Sequence, residues 1–294
     1  MAFDYTEFID NEYKDHKVYS MLAGMEKNGN RKKLLQKLAD IEKTHSEFWQ
    51  KYAPNHRPKV SNTYIRLLAF LRVFLGVTFV VKMLEKHEKT TMQKYMLIAE
   101  ALGPGNPERN SIEEIIRQEA EIETTLVSHI DEAIVKYVGF LMLGLADAII
   151  EVTGVQAGFL GVTSSALVAG LAGLIVGIAA AISMGAAAYL QARQTPTEKS
   201  LLPGLLTGII YFVTVLFIAS PYFIVPQVSM AFAASITISA VLVAIFSFFV
   251  SVVQNRSFKK EFVINITLLT AVIIVTYTIG NILGDYFGVQ QLIP

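Results

Sequence analysis

The chain changes character at Tyr137. Of its 294 residues, the first 136 carry forty of the fifty charged side chains, twenty acidic and twenty basic, and all five histidines. The remaining 158 carry only ten charges. The two halves therefore have to be read separately, because they cannot share one kind of solvent. From residue 138 onward, five apolar stretches follow one another near 138–160, 165–191, 202–224, 229–253 and 262–283. Each is about 20 residues or longer, the length a helix needs to cross the hydrocarbon core. A large buried helical core in water would need polar faces on several of these helices, and they have almost none. The sequence predicts an all-α protein, with a charged helical head over 1–134 and a five-span domain over 135–294 whose partner is the lipid bilayer.

The linkers set an expected orientation. QARQTPTEKS carries Arg193 and Lys199, and NRSFKKEF carries Arg256, Lys259 and Lys260, whereas the linkers at 161–164 and 226–228 carry no charge. Basic residues are retained on the cytoplasmic side, and both basic linkers fall on the side of the head. The head is expected inside and the carboxyl terminus outside. The amino terminus is acidic and polar rather than basic and then apolar, so no cleaved secretory signal is expected there. Balanced charge without a basic cluster gives no footprint for nucleic acid. The absence of cysteine excludes disulfides, thiolate zinc sites and iron–sulfur clusters.

Within the expected spans only Asp147 and Glu151 are ionisable, four residues apart on one face of the first span, GLADAIIEVTGVQAG. A carboxylate in hydrocarbon costs several kcal/mol unless it lines a cavity or finds a partner. No lysine, arginine or histidine occurs in any span, so a cation from outside the protein is the expected partner. The second span is rich in small residues that permit close helix approach. Met184 stands out in it, since a thioether beside carboxylates favours a transition metal over calcium or magnesium.

In the head, four helices are expected near 3–27, 30–52, 60–101 and 110–134, broken by Asn28-Gly29-Asn30, by the stretch from Pro54 to Pro58 and by Gly103-Pro104-Gly105. The apolar run 67–84 contains Arg72 and Lys82, which marks it as the core-facing part of the third helix rather than a further span. Glu42 and His45 form Glu-x-x-His on one face of the second helix, Glu85 and Glu88 repeat that spacing in the third, and Glu12 and Glu123 supply one carboxylate each from the first and fourth. A di-iron site in a bundle core is built from inward glutamates and Glu-x-x-His pairs of this kind. His16, His56, His87 and His129 are expected on the solvated surface.

Two segments of the head, ADIEKTH at 39–45 and IEEIIRQEAEIE at 112–123, resemble the second and fourth helices of the rubrerythrin branch of the ferritin-like family. The resemblance implies a di-iron centre with Glu12, Glu42, His45, Glu85, Glu88 and Glu123 as ligands. Three residues after Glu123, where that family brings a histidine, this chain has Leu126; Glu119, one turn before Glu123 on the same face, is the expected substitute.

The apolar half resembles the vacuolar iron transporter family through LGLADA at 143–148, ISMGAAAY at 182–189, Ser220-Pro221-Tyr222 with Pro226, and YTIG at 277–280. Ala148 replaces a glycine and Ala188 a glutamate of that pattern, and Glu151 is the expected replacement for the latter. The linker between second and third spans keeps only Glu198 of the family's metal-collecting glutamates. Together the resemblances point to the erythrin–vacuolar iron transporter type, in which a ferritin-like head is fused to the membrane half. They imply export of Fe²⁺ or Mn²⁺ from the cytoplasm in exchange for protons, a homodimer with its pathway between first spans, and a prokaryotic cell membrane. The membrane site would be Asp147, Glu151 and Met184, and the head would collect or sense the metal. The rival reading is an enzyme, a membrane-anchored di-iron ferroxidase or peroxide reductase.

Overall fold

The computed structural model describes residues 4–129, 138–194 and 201–289, and every regular element among them is helical. The chain separates into two compact units, Met1–Lys136 and Tyr137–Pro294.

The first unit contains α1 (Tyr5–Met25), α2 (Gly29–Gln50), α3 (Asn62–Leu102) and α4 (Pro107–His129). The starts of α1, α2 and α4 follow from short polar side chains that satisfy otherwise orphaned backbone N–H groups. Asp4 accepts from the Thr6 N–H at 3.0 Å, Asn28 from Asn30 and Arg31 at 3.0 and 3.1 Å, and Asn106 from Glu108 at 2.9 Å. Pro107 occupies the first position of α4, where its missing N–H costs nothing. These breaks are the ones the sequence announces. One break is not: Gly76 lies inside α3 with φ +86° and ψ +167°, so α3 is two helical pieces joined at a kink. That backbone region is open almost only to glycine.

Two apolar clusters bracket this unit along its length. One gathers Phe8, Ile9, Trp49, Tyr95 and Ile115; the other gathers Val18, Leu22, Ala39, Leu84 and Ile122. In each helix the chemistry-bearing residues lie between the two: Glu12 and Asp15 follow Ile9 and precede Val18, and Glu119 falls between Ile115 and Ile122. The apolar run 67–84 contributes Leu68, Val77, Val80, Val81 and Leu84 to the second cluster, as expected for a core-facing segment.

The second unit contains α5 (Val138–Val162), α6 (Ala166–Ala192), α7 (Leu201–Ala219), the single turn α8 (Pro221–Ile224), α9 (Val228–Val253) and α10 (Phe258–Phe287). Taking α7 and α8 together, five helices are long and apolar enough to cross a membrane. The last of them begins earlier than the hydropathy suggests and takes Lys259, Lys260 and Glu261 into its first turn. Helix α5 is central and packs against α6, α7, α9 and α10. Its seam with α10 is backbone on backbone: a Cβ added to Gly280 would stand 2.0 Å from the Gly158 carbonyl oxygen. Forcing a side chain into a filled contact costs roughly 1–3 kcal/mol or more. Gly280→Ala is expected to lower the unfolding temperature of the detergent-solubilised protein by several degrees; Gly139→Ala, where the added Cβ meets open space, leaves it unchanged.

Candidate metal centre

Four side chains from three helices of the first unit converge in the layer between the apolar clusters. Glu12 of α1, Glu42 and His45 of α2 and Glu119 of α4 are all buried, with one ligand atom of each within 4.8 Å of the others. His45 Nδ1 lies 3.7 Å from Glu12 Oε2, 3.7 Å from Glu42 Oε2 and 2.8 Å from Glu119 Oε1. Even the shortest of these lacks hydrogen-bond alignment, and Nδ1 has no hydrogen-bond partner.

The orientation of the imidazole is set from behind. Gln118 Nε2–H donates to Glu114 Oε1 at 2.8 Å, which leaves Gln118 Oε1 to accept from His45 Nε2–H at 2.9 Å. With Nε2 committed as a donor, Nδ1 is the nitrogen turned toward the carboxylates, the arrangement by which proteins prepare a histidine for a metal. Glu12 is anchored similarly: the hydroxyl of the buried Tyr95 donates to its Oε1.

Burial and the neighbouring charges shift every titratable side chain of this group. Burial pushes the Glu42 and Glu119 carboxyls up, and their negative neighbours push Glu42 further; Glu88 is raised by burial and by Glu119 and Asp15. Burial raises Glu12 as well, but interactions with His45, Glu42 and Tyr95 outweigh it and hold its carboxyl below the usual range. Burial opposes charge on His45, yet Glu119, Glu12 and Glu42 hold its proton well above the ordinary range. Glu42 Oε1 and Glu119 Oε2 are buried without hydrogen-bond partners. Orphaned carboxylate oxygens around a turned imidazole nitrogen are a donor set that fits a divalent metal ion. When bound, such an ion supplies the positive charge that the layer lacks.

Of the residues the sequence singled out, Glu12, Glu42, His45 and Glu119 come together. Glu85 and Glu88 stand outside that four-residue group, although Glu85 is buried and Glu88 Oε1 is buried without a hydrogen-bond partner. The side chains of Glu123 and Leu126, like those of His87 and His129, lie outside the described ones. Among the described side chains, the fourth-helix carboxylate in the group is Glu119. His16 Nδ1 pairs with the Ala39 carbonyl at 2.7 Å and His56 Nε2 with Asp10 Oδ1 at 2.9 Å, so neither joins the group.

In the second unit, Asp147 and Glu151 sit half-buried on α5. The expectation that Glu151 lacks a protein partner is overturned: the buried Tyr211 of α7 donates its hydroxyl to Glu151 Oε2. The donor is electrically neutral, and a tyrosine within an apolar stretch gives no sign of such a pairing. Met184 packs against the apolar cluster that contains Ala148, Ile149, Val152 and Tyr211. On another side of α5, Thr153 pairs with Ser239 of α9 at 2.9 Å and Gln156 accepts from Ser235 at 2.7 Å, a polar seam the sequence did not announce. Glu198 and Lys199 lie outside the described residues.

Comparison of the chain with protein-family models, curated proteins and solved structures finds no match. The chemistry of the centre therefore rests on its own geometry. Since His45 Nδ1 and the raised carboxyls hold protons, a metal bound by these residues would take the place of those protons, and its binding would weaken as pH falls.

Asp15, buried in the same layer, is pushed up to about 8 by burial and by Glu12 and Glu119, against the opposing pull of Lys14. A carboxyl raised in the folded state contributes stability that is complete below its unfolded value and is lost as pH rises through its folded value. The metal-free protein is therefore expected to melt at lower temperature as pH is raised from about 5 to about 8. Added Mn²⁺ should reverse that trend in a thermal-melt series. At free metal about 100 times Kd, one bound ion stabilises the folded state by about 2.7 kcal/mol. Glu42→Gln is expected to remove most of that metal-induced shift.

Proposed function

We propose that this chain is a divalent-metal transporter of the erythrin–vacuolar iron transporter type, exporting Fe²⁺ or Mn²⁺ from the cytoplasm in exchange for protons. The observation that carries the reading is the coexistence of two carboxylate sites in one chain. A buried Glu, Glu, His and Glu group can hold a metal in the first unit, and Asp147 and Glu151 stand on the central helix of five candidate spans in the second. The substrate ion is gathered by the head, and the resident metal of the head would be iron of the di-iron type, with manganese as the alternative.

In the membrane half, Asp147 and Glu151 are the cation ligands and Met184 supplies a softer donor that disfavours calcium and magnesium. Tyr211 holds Glu151 in place and can keep hold of it while the carboxylate exchanges a proton for a cation. A mere anchor needs one span rather than five and gains nothing from carboxylates within them, which ranks the enzyme reading second. In this reading the head is cytoplasmic, the carboxyl terminus is outside, and the protein works as a homodimer.

The test is metal-dependent uptake by proteoliposomes under a pH gradient. Asp147→Ala is expected to abolish uptake; uptake at the wild-type rate by that variant would overturn the mechanism. Tyr211→Phe should lower the rate without abolishing it. If Glu42→Ala leaves uptake intact but abolishes oxidation of Fe²⁺, the enzyme reading takes the lead.

A further inference from the structure

One stretch of the first unit breaks the even mixing of its charges. No acidic residue occurs between Glu47 and Glu85, so all twenty acids of residues 1–136 lie in the other 99 positions. Lys51, Arg57, Lys59, Arg66, Arg72 and Lys82 all fall within that gap. Arg72 is engaged inward, donating to the Met25 carbonyl at 3.0 Å with Glu26 3.5 Å away. Arg57, Lys59 and Arg66 are exposed, and the stretch offers no carboxylate to pair with them.

The same stretch carries an apolar face that its own unit leaves bare. Ahead of the kink at Gly76, α3 turns Leu68 into the cluster that contains Val18 and Leu84, with Tyr64, Ile65 and Leu71 packed against it. Its outer side is apolar as well: Leu67, Phe70 and Val73 are 53 %, 58 % and 65 % exposed. Helical spacing places Arg66, Phe70 and Val73 above one another, with Leu67 beside them. Beyond the kink, residues 77–81 are all buried. A helix that is apolar all round is one that is covered all round, and apolar side chains exposed on consecutive turns mark an interaction surface.

We infer that this face, the outer side of 62–75 with the basic segment just ahead of it, binds the surface of an anionic phospholipid bilayer. Leu67, Phe70 and Val73 enter the boundary of the acyl chains, and Arg57, Lys59 and Arg66 meet the lipid phosphates. A helix that lies in the membrane interface has this composition, an apolar side bordered by basic residues. Exposed cations are drawn to an anionic leaflet over about a Debye length, and here no acid opposes them. The five apolar helices of the same chain keep a bilayer at hand. A second copy suits the face less well: a two-fold contact sets the patch against itself, Arg66 toward Arg66, with no acid in the stretch to separate them. The inference needs the five helices to lie in lipid and is independent of the metal.

The chain has no cysteine, so a single introduced thiol takes a fluorophore at one place only. The full-length protein with Val73→Cys, labelled with an environment-sensitive dye, is reconstituted into phosphatidylcholine vesicles with and without phosphatidylglycerol, the acyl chains being brominated so that they quench on contact. With phosphatidylglycerol present, the emission is expected to shift to the blue and to be quenched several-fold more than in phosphatidylcholine alone. A label at Lys37→Cys, exposed on α2, should be unquenched in both. The triple variant Arg57→Gln, Lys59→Gln, Arg66→Gln changes only exposed side chains and should melt like the parent while losing most of the quenching at position 73, as should the parent at high salt.

Equal quenching with and without phosphatidylglycerol overturns the inference, as does a label at position 73 that stays in water in both, or quenching that the triple variant leaves intact. A label shielded from water yet untouched by bromine overturns it too and gives the face to a protein; energy transfer between copies labelled with donor and acceptor would then name a second copy as that protein. None of these outcomes touches the binding of Mn²⁺ by Glu42 and its neighbours, which the thermal-melt series tests separately.

Discussion

A carboxylate taken out of water must find a proton, a donor or a cation, and the first unit is organised around that requirement. Glu12, Glu42 and Glu119 are buried with His45 between two apolar clusters that keep solvent from above and below. Several kcal/mol of desolvation for each charged group would unfold a unit of this size if nothing offset it. The offset is partly internal, through Tyr95 on Glu12 and the imidazole among the three acids, and it leaves identifiable oxygen atoms unserved. The chain from Glu114 through Gln118 to His45 shows that the orientation of the ring is itself built, beginning at an exposed residue and ending at a buried one.

The second unit meets the same requirement by gentler means. Glu151 receives a phenolic hydroxyl rather than a charge, and the hydroxyls of Thr153, Ser235 and Ser239 serve one another and Gln156 along the contact of α5 with α9. Such contacts tie helices together where hydrophobicity cannot distinguish a neighbour from lipid. Helix α5 carries both carboxylates and also the partners of four other helices, so changes at the acids are felt throughout the unit.

Much of this was legible in the sequence because it is written in punctuation and composition. The helix breaks at Asn28-Gly29-Asn30 and Gly103-Pro104-Gly105 and the collapse of charge after residue 136 need no tertiary knowledge. The Glu42 and His45 pair was legible from its spacing together with its place in an ordered set of four helices. What was not legible depends on register and on neutral partners. Glu119 and Glu123 are one turn apart on one face, and spacing alone does not tell which of two such carboxylates reaches the core. Asp15 sits in the run Lys14-Asp15-His16-Lys17, which reads as a solvated surface although its second member is buried. Tyr211 lies in an apolar stretch where an aromatic ring needs no further explanation. Gly76 is a single glycine within LRVFLGVTF, and a helix tolerates one glycine often enough that its kink could not be foreseen.

The contact between Gly158 and Gly280 limits how the apolar unit can change shape. Where side chains interdigitate, one helix can click past another by exchanging rotamers, but here the carbonyl of one backbone lies against the bare Cα of the other, and Gly161 meets the backbone of Gly280 and Asn281 in the same way one turn along. There are no rotamers to exchange. Turning α10 about its axis would bring the Cβ of Ile279 or Asn281 against a carbonyl that tolerates none, so α5 and α10 travel as a single rigid strut. Any change of shape in the unit is thereby left to the other helices, and the acids ride on the part that stays in register.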